Sequence, residues 1–473
     1  MLSRFLALAA FSGAIQFHSV PAPAPLPPAP ANLVEVTLVA APARMSLLPG
    51  KSTEVFAYNG TVPGPTLEFK EGDRVIVHFR NELPVPSTVH WHGLHLPFDM
   101  DGSPFHPVPP GGTHDYIFTI QPGTAGTYWY HPHPHHSTGH QVARGLYGAI
   151  VVRAADDPLP ASLEEKLLVL SDNRFAEDGS VAFTDPHSLR GRIDFENGRE
   201  GDVFFVNGKI MPTMRIRRGE VQRWRIVNAS AARIYRLAIP GHRFLHVGTD
   251  GGLFEHPVEV SELLLSVGER AEILVRGSAA PGTKTVLQTL PYDRYVPQTK
   301  PTDWSQPRDL LTLEYSAQAP VAPVALPRTL RKVPPLDTTA VSAIRVVTLS
   351  QGMINGKLMD PDRIDVDALL GKTEIWVVEN IVGMDAAKPL VRRGADLMVF
   401  TADNGDPAGR EVNAVGLEIP VPEPFALDVS RLAGAGLRAR TVLIHLQCRA
   451  VLSGKTANGA TRAWHRDSEG DTP

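Results

Sequence analysis

The chain has 473 residues, a formal net charge of −4 at pH 7 and a single cysteine, Cys448. This length is too great for one hydrophobic core and predicts several domains of ordinary size. The small net charge argues against a nucleic-acid partner, and the lone cysteine excludes a disulfide within the chain. The 43 prolines and 40 glycines separate short runs rich in Val, Ile, Thr and Phe, which is typical of an all-β protein.

The first 32 residues have the pattern of a targeting segment and a spacer. Arg4 precedes an apolar run that continues to Ile15 and is too short to span a bilayer comfortably. Residues 20–30 are almost entirely proline and alanine, which favours an extended spacer. We therefore predict a signal peptide and a Pro/Ala-rich spacer over residues 1–32, a periplasmic or secreted protein, and no membrane span. A buried first helix is the other interpretation, but helices do not usually run into such a spacer.

A unit of turn, strand, turn and strand occurs three times, about 150 residues apart. The copies begin at Asn59-Gly60, Asn207-Gly208 and Asn355-Gly356 and end at Asn81, Asn228 and Asn380. Asn-Gly favours a turn with positive φ, and the alternating apolar positions fit half-buried strands. We predict three similar β-domains over residues 33–155, 160–318 and 340–473, the third being the looser copy. In the second copy, Trp224 with Arg223 and Arg225 predicts a packed strand that has one solvated face.

Ten of the 18 histidines fall between positions 90 and 140, and four of them form the pairs His90-Trp91-His92 and His131-Pro132-His133. In a strand, residues i and i+2 point to the same face, about 6.5–7 Å apart. Two such pairs facing each other would bring four imidazoles into one small volume. Neutral imidazole suits copper, zinc, iron and nickel, so the spacing predicts a metal site. A His-rich surface loop would explain the number of histidines but not their paired spacing.

With these motifs the chain resembles the three-domain, laccase-like multicopper oxidases. The resemblance implies an all-β fold of three tandem cupredoxin-like Greek-key β-sandwich domains, and it extends from about residue 33 to Asp385. It rests on a small set of motifs, namely His90-Trp91-His92-Gly93, Asp101-Gly102, residues 129–133, residues 145–148, residues 249–252 and residues 268–272.

The resemblance implies copper as the cofactor and a role for each paired histidine. His90 would bind the type 2 copper, and His92, His131 and His133 would bind the type 3 coppers of a trinuclear site at which dioxygen is reduced to water. Asp101 matches an acidic residue of the family that relays protons and orients the water on type 2 copper. An ordinary turn aspartate before a glycine is the alternative for Asp101. The implied partners are dioxygen and a small reducing substrate.

The remaining histidines of this stretch are off the ligand positions that the resemblance implies. We predict that most of them lie at the surface or near the site; they are His95, His106, His114, His135, His136 and His140.

After Asp385 the resemblance ends, and the third domain is predicted to be atypical or incomplete. The next residues, 386–392, contain no histidine where the family has a histidine-rich segment. A type 1 copper requires a thiolate and two imidazoles, but here Cys448 has His445 three residues before it and Ser453 five residues after it, where the family has a histidine. Two classes of function stay open. The first is an oxidase that couples one-electron oxidation of phenols, amines or metal ions to dioxygen reduction. The second is a non-catalytic or inactivated cupredoxin-like protein that binds copper or serves as a scaffold. The sequence sets neither the natural reductant nor the oligomeric state.

Overall fold

The computed structural model describes residues 32–292, 305–322, 324–332, 341–350, 353–358, 365, 373–380, 394–403, 413–415 and 418–420. In these residues the chain consists mainly of β-strands, with two short α-helices and one 3-10 helix, which confirms the predicted all-β class. Neither α-helix has the length and apolar content of a membrane span. The predicted signal peptide, the segment 386–392 and the pair His445 and Cys448 lie outside the described residues.

The first repeat is a sandwich of two four-stranded sheets, ordered β2-β1-β4-β6 and β3-β8-β7-β5. Its strands are β1 (Leu33–Met45), β2 (Thr53–Tyr58), β3 (Leu67–Lys70), β4 (Arg74–Asn81), β5 (His90–His92), β6 (Thr113–Thr119), β7 (Gly126–His131) and β8 (Gly148–Arg153). The 3-10 helix Phe98–Met100 follows β5, and the helix α1 (Thr138–Ala143) follows β7. Alternate residues of the two sheets, among them Val77, Phe79, Trp91 and Tyr130, meet in one buried core.

The second repeat has a six-stranded sheet, β10-β9-β12-β17-β14-β15, and a five-stranded sheet, β11-β19-β18-β13-β16. The elements are β9 (Glu164–Asn173), α2 (Leu189–Asn197), β10 (Val203–Val206), β11 (Thr213–Ile216), β12 (Val221–Asn228), β13 (Tyr235–Ala238), β14 (Phe244–Thr249), β15 (Gly252–Val260), β16 (Glu262–Leu265), β17 (Arg270–Arg276), β18 (Lys284–Thr289) and β19 (Arg308–Tyr315). Trp224 of β12 packs with Tyr235 and Leu311 of the other sheet in the core of this repeat.

The described part of the third repeat is a single seven-stranded sheet, ordered β22-β21-β20-β23-β24-β25 with β26 beside β24. Its strands are β20 (Val341–Ser350), β21 (Met353–Ile354), β22 (Lys357–Leu358), β23 (Thr373–Asn380), β24 (Gly394–Asp403), β25 (Asn413–Val415) and β26 (Glu418–Pro420). The strands of the three repeats fall within the predicted ranges 33–155, 160–318 and 340–473, whose boundaries stay predictions.

The three copies of the sequence unit fold in the same way. In each copy the asparagine and the glycine of the Asn-Gly turn both have positive φ, between 49° and 73°. The side-chain Oδ1 of each asparagine accepts a hydrogen bond from a backbone N–H of the first strand of its repeat, at Val39, Val169 and Thr348. That strand then pairs in parallel with the strand that ends at the second asparagine, as β1 with β4, β9 with β12 and β20 with β23. The repeat therefore extends to individual hydrogen bonds.

The prediction of a solvated face on β12 is wrong, because all eight residues of this strand are buried. One face packs in the core of the second repeat, and the other packs against β7 of the first repeat. Arg223 and Arg225 are 6% and 2% exposed. The alternating pattern predicted two faces correctly, but a second sandwich covers the face that was expected to meet water.

Candidate metal centre

The two histidine pairs lie on neighbouring antiparallel strands, β5 and β7. His90 is opposite His131, and His92 is opposite Trp129. Residues opposite each other in a sheet share a face, so these four side chains project to one side. Trp91 and Tyr130 project to the other side and pack in the core of the first repeat. The core therefore anchors the strands while their polar face carries the imidazoles.

The structure brings three of the predicted ligands together. The potential ligand atoms of His90, His92 and His131 lie within 4.8 Å of one another. His92 Nδ1 and His131 Nε2 are 3.2 Å apart. The ring of His133 follows just beyond the end of β7, with its centroid 5.2 Å from that of His90. No other group of three potential ligands of this compactness occurs among the described residues.

Backbone contacts orient the rings so that nitrogens remain for a metal. His90 Nδ1 lies 2.9 Å from the carbonyl oxygen of Asp101, and His131 Nδ1 lies 2.8 Å from that of Pro132. A carbonyl oxygen can only accept, so each Nδ1 donates a hydrogen and each Nε2 is the nitrogen with a lone pair. The backbone N–H of His133 donates to Thr88 Oγ1 at 2.8 Å. A set of imidazole nitrogens in this arrangement suits copper.

Asp101 lies directly after the 3-10 helix, with its side chain directed at His90. Its Oδ2 is 3.3 Å from His90 Nδ1, on the same ring nitrogen that meets its carbonyl oxygen. His90 is 1% exposed, so this contact is protected from solvent on the histidine side. A carboxylate at this position holds the ring orientation and makes the opposite nitrogen a better ligand. The family resemblance implies that Asp101 lies near the site, and in the structure its side chain contacts the ring of His90.

The other histidines of the stretch are exposed or half-buried. His106, His136 and His140 are exposed, and His95, His114 and His135 are half-buried. Phe105 packs against the ring of His135, with centroids 5.5 Å apart, and Tyr116 against the ring of His114 at 4.5 Å.

The second repeat forms one wall of the cluster, a contribution that the sequence analysis did not predict. A Cβ on Gly268 would lie 3.0 Å from His92 Cε1 and 3.5 Å from a ring carbon of Trp129. Trp129 itself stacks near both His92 and His131, with ring centroids 5.1 and 4.2 Å away. The only signal in the sequence was that Gly268 belongs to one of the motifs carrying the family resemblance.

A network of buried charges lies at the other end of β7. Glu272 is fully buried and accepts hydrogen bonds from Thr127 Oγ1 at 2.9 Å, from Arg223 Nε at 2.9 Å and from Arg225. Burial disfavours the charge on Arg223, but Glu272 and Asp157 together outweigh this effect and raise its pKa. Burial acts against the charge of Glu165 as well, and Arg225 reverses that effect and lowers the pKa of Glu165 below 4.5. Through Thr127, this network of charged side chains joins the two repeats.

Comparison with known proteins gives this arrangement its context. Two family models, both described as multicopper oxidase, match residues 40–157 and 183–314. A solved structure titled as a multicopper oxidase from Campylobacter jejuni, a metallo-oxidase, is 34% identical with a TM-score of 0.67, over 75% of this chain and 76% of that one. The chain belongs to the multicopper oxidase family. As a member of this family it has the cupredoxin-like fold that the sequence analysis predicted.

The relatives that this chain resembles carry names that describe different roles. Multicopper oxidase mco of Staphylococcus aureus is 27% identical over 380 residues, which is 79% of this chain and 76% of that protein. Cell division protein FtsP of Escherichia coli is 32% identical over 348 residues, which is 71% of each chain. Family membership therefore supports an oxidoreductase in general terms, while the relatives include one whose name describes a different role.

Proposed function

We propose that this protein is a copper-binding oxidoreductase of the multicopper oxidase type. It would couple one-electron oxidation of a small phenolic, amine or metal-ion substrate to the reduction of dioxygen to water. The observation that carries the proposal is the compact cluster of His90, His92 and His131 in a chain of this family.

His90, His92, His131 and His133 would hold the copper, which when bound supplies one-electron redox chemistry with dioxygen as the acceptor. The protein's own contribution begins with ring orientation. Nδ1 of His90 donates a hydrogen bond to the Asp101 carbonyl oxygen and Nδ1 of His131 donates one to the Pro132 carbonyl oxygen, so that the two Nε2 atoms would be the copper ligands. The carboxylate of Asp101 would also hold a proton near the site, as the family resemblance implies.

A non-catalytic role in copper binding or as a scaffold is the second candidate. It is favoured by the sequence after Asp385, where residues 386–392 contain no histidine and Ser453 stands five residues after Cys448, at the position where the family has a histidine. A type 1 copper needs a thiolate and two imidazoles, and without it electrons from a substrate have no entry to the imidazole cluster. The likeness to a relative named for cell division agrees with this candidate.

We further propose that the protein is exported. The support comes from the apolar segment after Arg4 and the Pro/Ala-rich spacer that follows it.

The experiment that separates the two candidates measures three properties of one preparation. The purified full chain is loaded with Cu(II), and copper stoichiometry, the visible spectrum and oxygen uptake with a phenol or diamine are recorded together. A His92→Ala/His131→Ala variant is the matched control. Oxygen uptake that requires copper and is lost in the control supports the oxidase. Copper binding without a blue band and without uptake supports the non-catalytic candidate. Failure of the chain to bind copper overturns both.

A further inference from the structure

Arg270, the first residue of β17, connects both ligand strands of the first repeat to the second repeat. It is 2% exposed, and its Nε donates to the carbonyl oxygen of Thr127 on β7 at 3.0 Å. Its terminal nitrogen lies against Gly93, the residue after His92, because a Cβ on Gly93 would come within 2.4 Å of that nitrogen. The guanidinium also lies over the ring of Tyr128, 5.5 Å from the centroid.

The same side chain holds the turn that meets the His92 ring. A second guanidinium nitrogen donates to the Gly268 carbonyl oxygen at 2.9 Å. Gly268 has a φ of +78°, and a Cβ there would lie 3.0 Å from His92 Cε1, so the backbone of this turn approaches the imidazole directly. Shifting the turn would therefore release or displace the ring of His92.

The charge of Arg270 is balanced locally, which allows it to lie near a metal site. Its guanidinium is 3.0 Å from Asp250 Oδ1, and its backbone N–H donates to the same carboxylate oxygen at 2.7 Å. The pair therefore adds little net positive charge next to a bound cation. Its effect on the site is through geometry.

We propose that Arg270 is a positioning residue that holds the Gly268 turn against His92 and so sets the orientation of one imidazole of the copper centre. This inference rests on the proposed copper binding. It assigns the second repeat a direct part in a site whose candidate ligands all lie in the first.

Arg225 offers a matched control. It is also 2% exposed, and it also bonds Thr127, through the hydroxyl oxygen at 3.0 Å. Its other polar contacts within the described part of the chain are with Glu272 and Glu165, and not with the Gly268 turn. Replacing either arginine by lysine keeps the positive charge and removes the planar fork of donors, so both variants disturb the same interface.

The test compares Arg270→Lys and Arg225→Lys in the full chain. Each protein receives one equivalent of Cu(II), and the EPR spectrum, the copper Kd by chelator competition and the melting temperature of the metal-free protein are measured. We expect Arg270→Lys to weaken copper binding about tenfold and to change the EPR signal, as for other residues that orient a metal ligand. Arg225→Lys should lower the melting temperature and leave both copper readouts within about twofold, because it does not touch the turn.

A His92→Ala background shows whether Arg270 acts through His92. In that background Arg270→Lys should cause no further loss of copper affinity. An unchanged EPR signal and Kd in Arg270→Lys, or an equal loss with and without His92, overturns the inference while leaving the proposed copper binding in place. Failure of the unmodified chain to bind copper overturns both. Gly268→Ala, which keeps Arg270 and adds a methyl group against His92, should change the EPR signal in the same direction if the lysine variant does not fold.

Discussion

The two ends of strand β7 lie in two largely buried polar regions of opposite chemistry. Near its start, Thr127 belongs to a network in which two arginines face the carboxylate of Glu272. At its end, His131 belongs to a cluster made only of imidazoles. The network contains both positive and negative side chains, so its charges and hydrogen bonds are paired within the protein. The cluster gathers nitrogen bases of one kind, whose natural complement is a cation.

This difference separates stability from function along a single strand. A buried charge is tolerated when opposite charges and hydrogen bonds surround it, so the Glu272 network joins the repeats at the cost of precise pairing. Converging imidazoles stabilise the fold little through their contacts with one another, but together they can bind a metal ion. The four variants below act on one region or the other, and each tests whether the two can be disturbed separately.

The largest effect is expected from Glu272→Gln. The substitution keeps the shape of the side chain but removes the fully buried carboxylate that Arg223 and Arg225 share, so that Arg223 keeps only Asp157 and Glu165 and Arg225 keeps only Glu165 as acidic partners. We expect a loss of about 3–5 kcal/mol in the free energy of unfolding, measured by urea denaturation. Glu259→Gln, which breaks the exposed pair of Glu259 with Arg243, should cost less than about 1 kcal/mol. An equal loss in the free energy of unfolding for the two variants would contradict the expectation that the buried network stabilises the protein more than an exposed ion pair does.

His131→Ala should remove copper binding with less effect on stability. The imidazole is one of three that converge, so we expect the Cu(II) affinity to fall by more than about 100-fold, beyond the range for residues that only orient a ligand. Competition with a chromophoric chelator measures the change. His256→Ala, at a histidine of the second repeat, should keep the original affinity. Retained affinity in His131→Ala would place the metal elsewhere.

Asp101→Asn should have a smaller effect on the same measurement. The variant keeps the carbonyl contact to His90 Nδ1 and loses only the charge of the carboxylate oxygen 3.3 Å away. We expect copper affinity to fall about tenfold and unfolding to change little. An unchanged copper Kd would contradict a role for the Asp101 carboxylate in copper binding and would favour the interpretation of Asp101 as an ordinary turn residue.

The smallest effect concerns pH and the charged network. Glu165 has a pKa held below 4.5 in the folded protein, where burial opposes its charge but Arg225 and Arg153 outweigh it. Its contribution is present above the pKa of the unfolded chain and is lost as the pH falls through the lower folded value. Glu165→Gln should therefore make the stability less dependent on pH between about pH 6 and about pH 3. Urea midpoints measured across this range check it, and a slope equal to that of the unmodified chain would contradict it.

Local patterns in the sequence predicted much of the candidate site. A period of two places His90 and His92 on one face, and pairing of β5 with β7 adds His131. The Asn-Gly turns have the predicted positive φ in all three copies, because the conformation depends on the two residues themselves. Asp101 was recognised only through the family resemblance, since a turn aspartate has no local feature that points to a histidine 11 residues earlier.

The sequence by itself determined the all-β class, the threefold repeat and the paired histidines, because these depend on residues close together in the chain. Only the tertiary structure decided what covers each strand face. It buried Arg223 and Arg225, which an alternating strand pattern leaves free to meet water, and it brought Gly268 of the second repeat against His92 of the first. Such contacts join residues far apart in the chain, and their specificity lies in the docking of one sandwich on another. The periodicity of apolar residues along one strand does not predict how two sandwiches pack against each other.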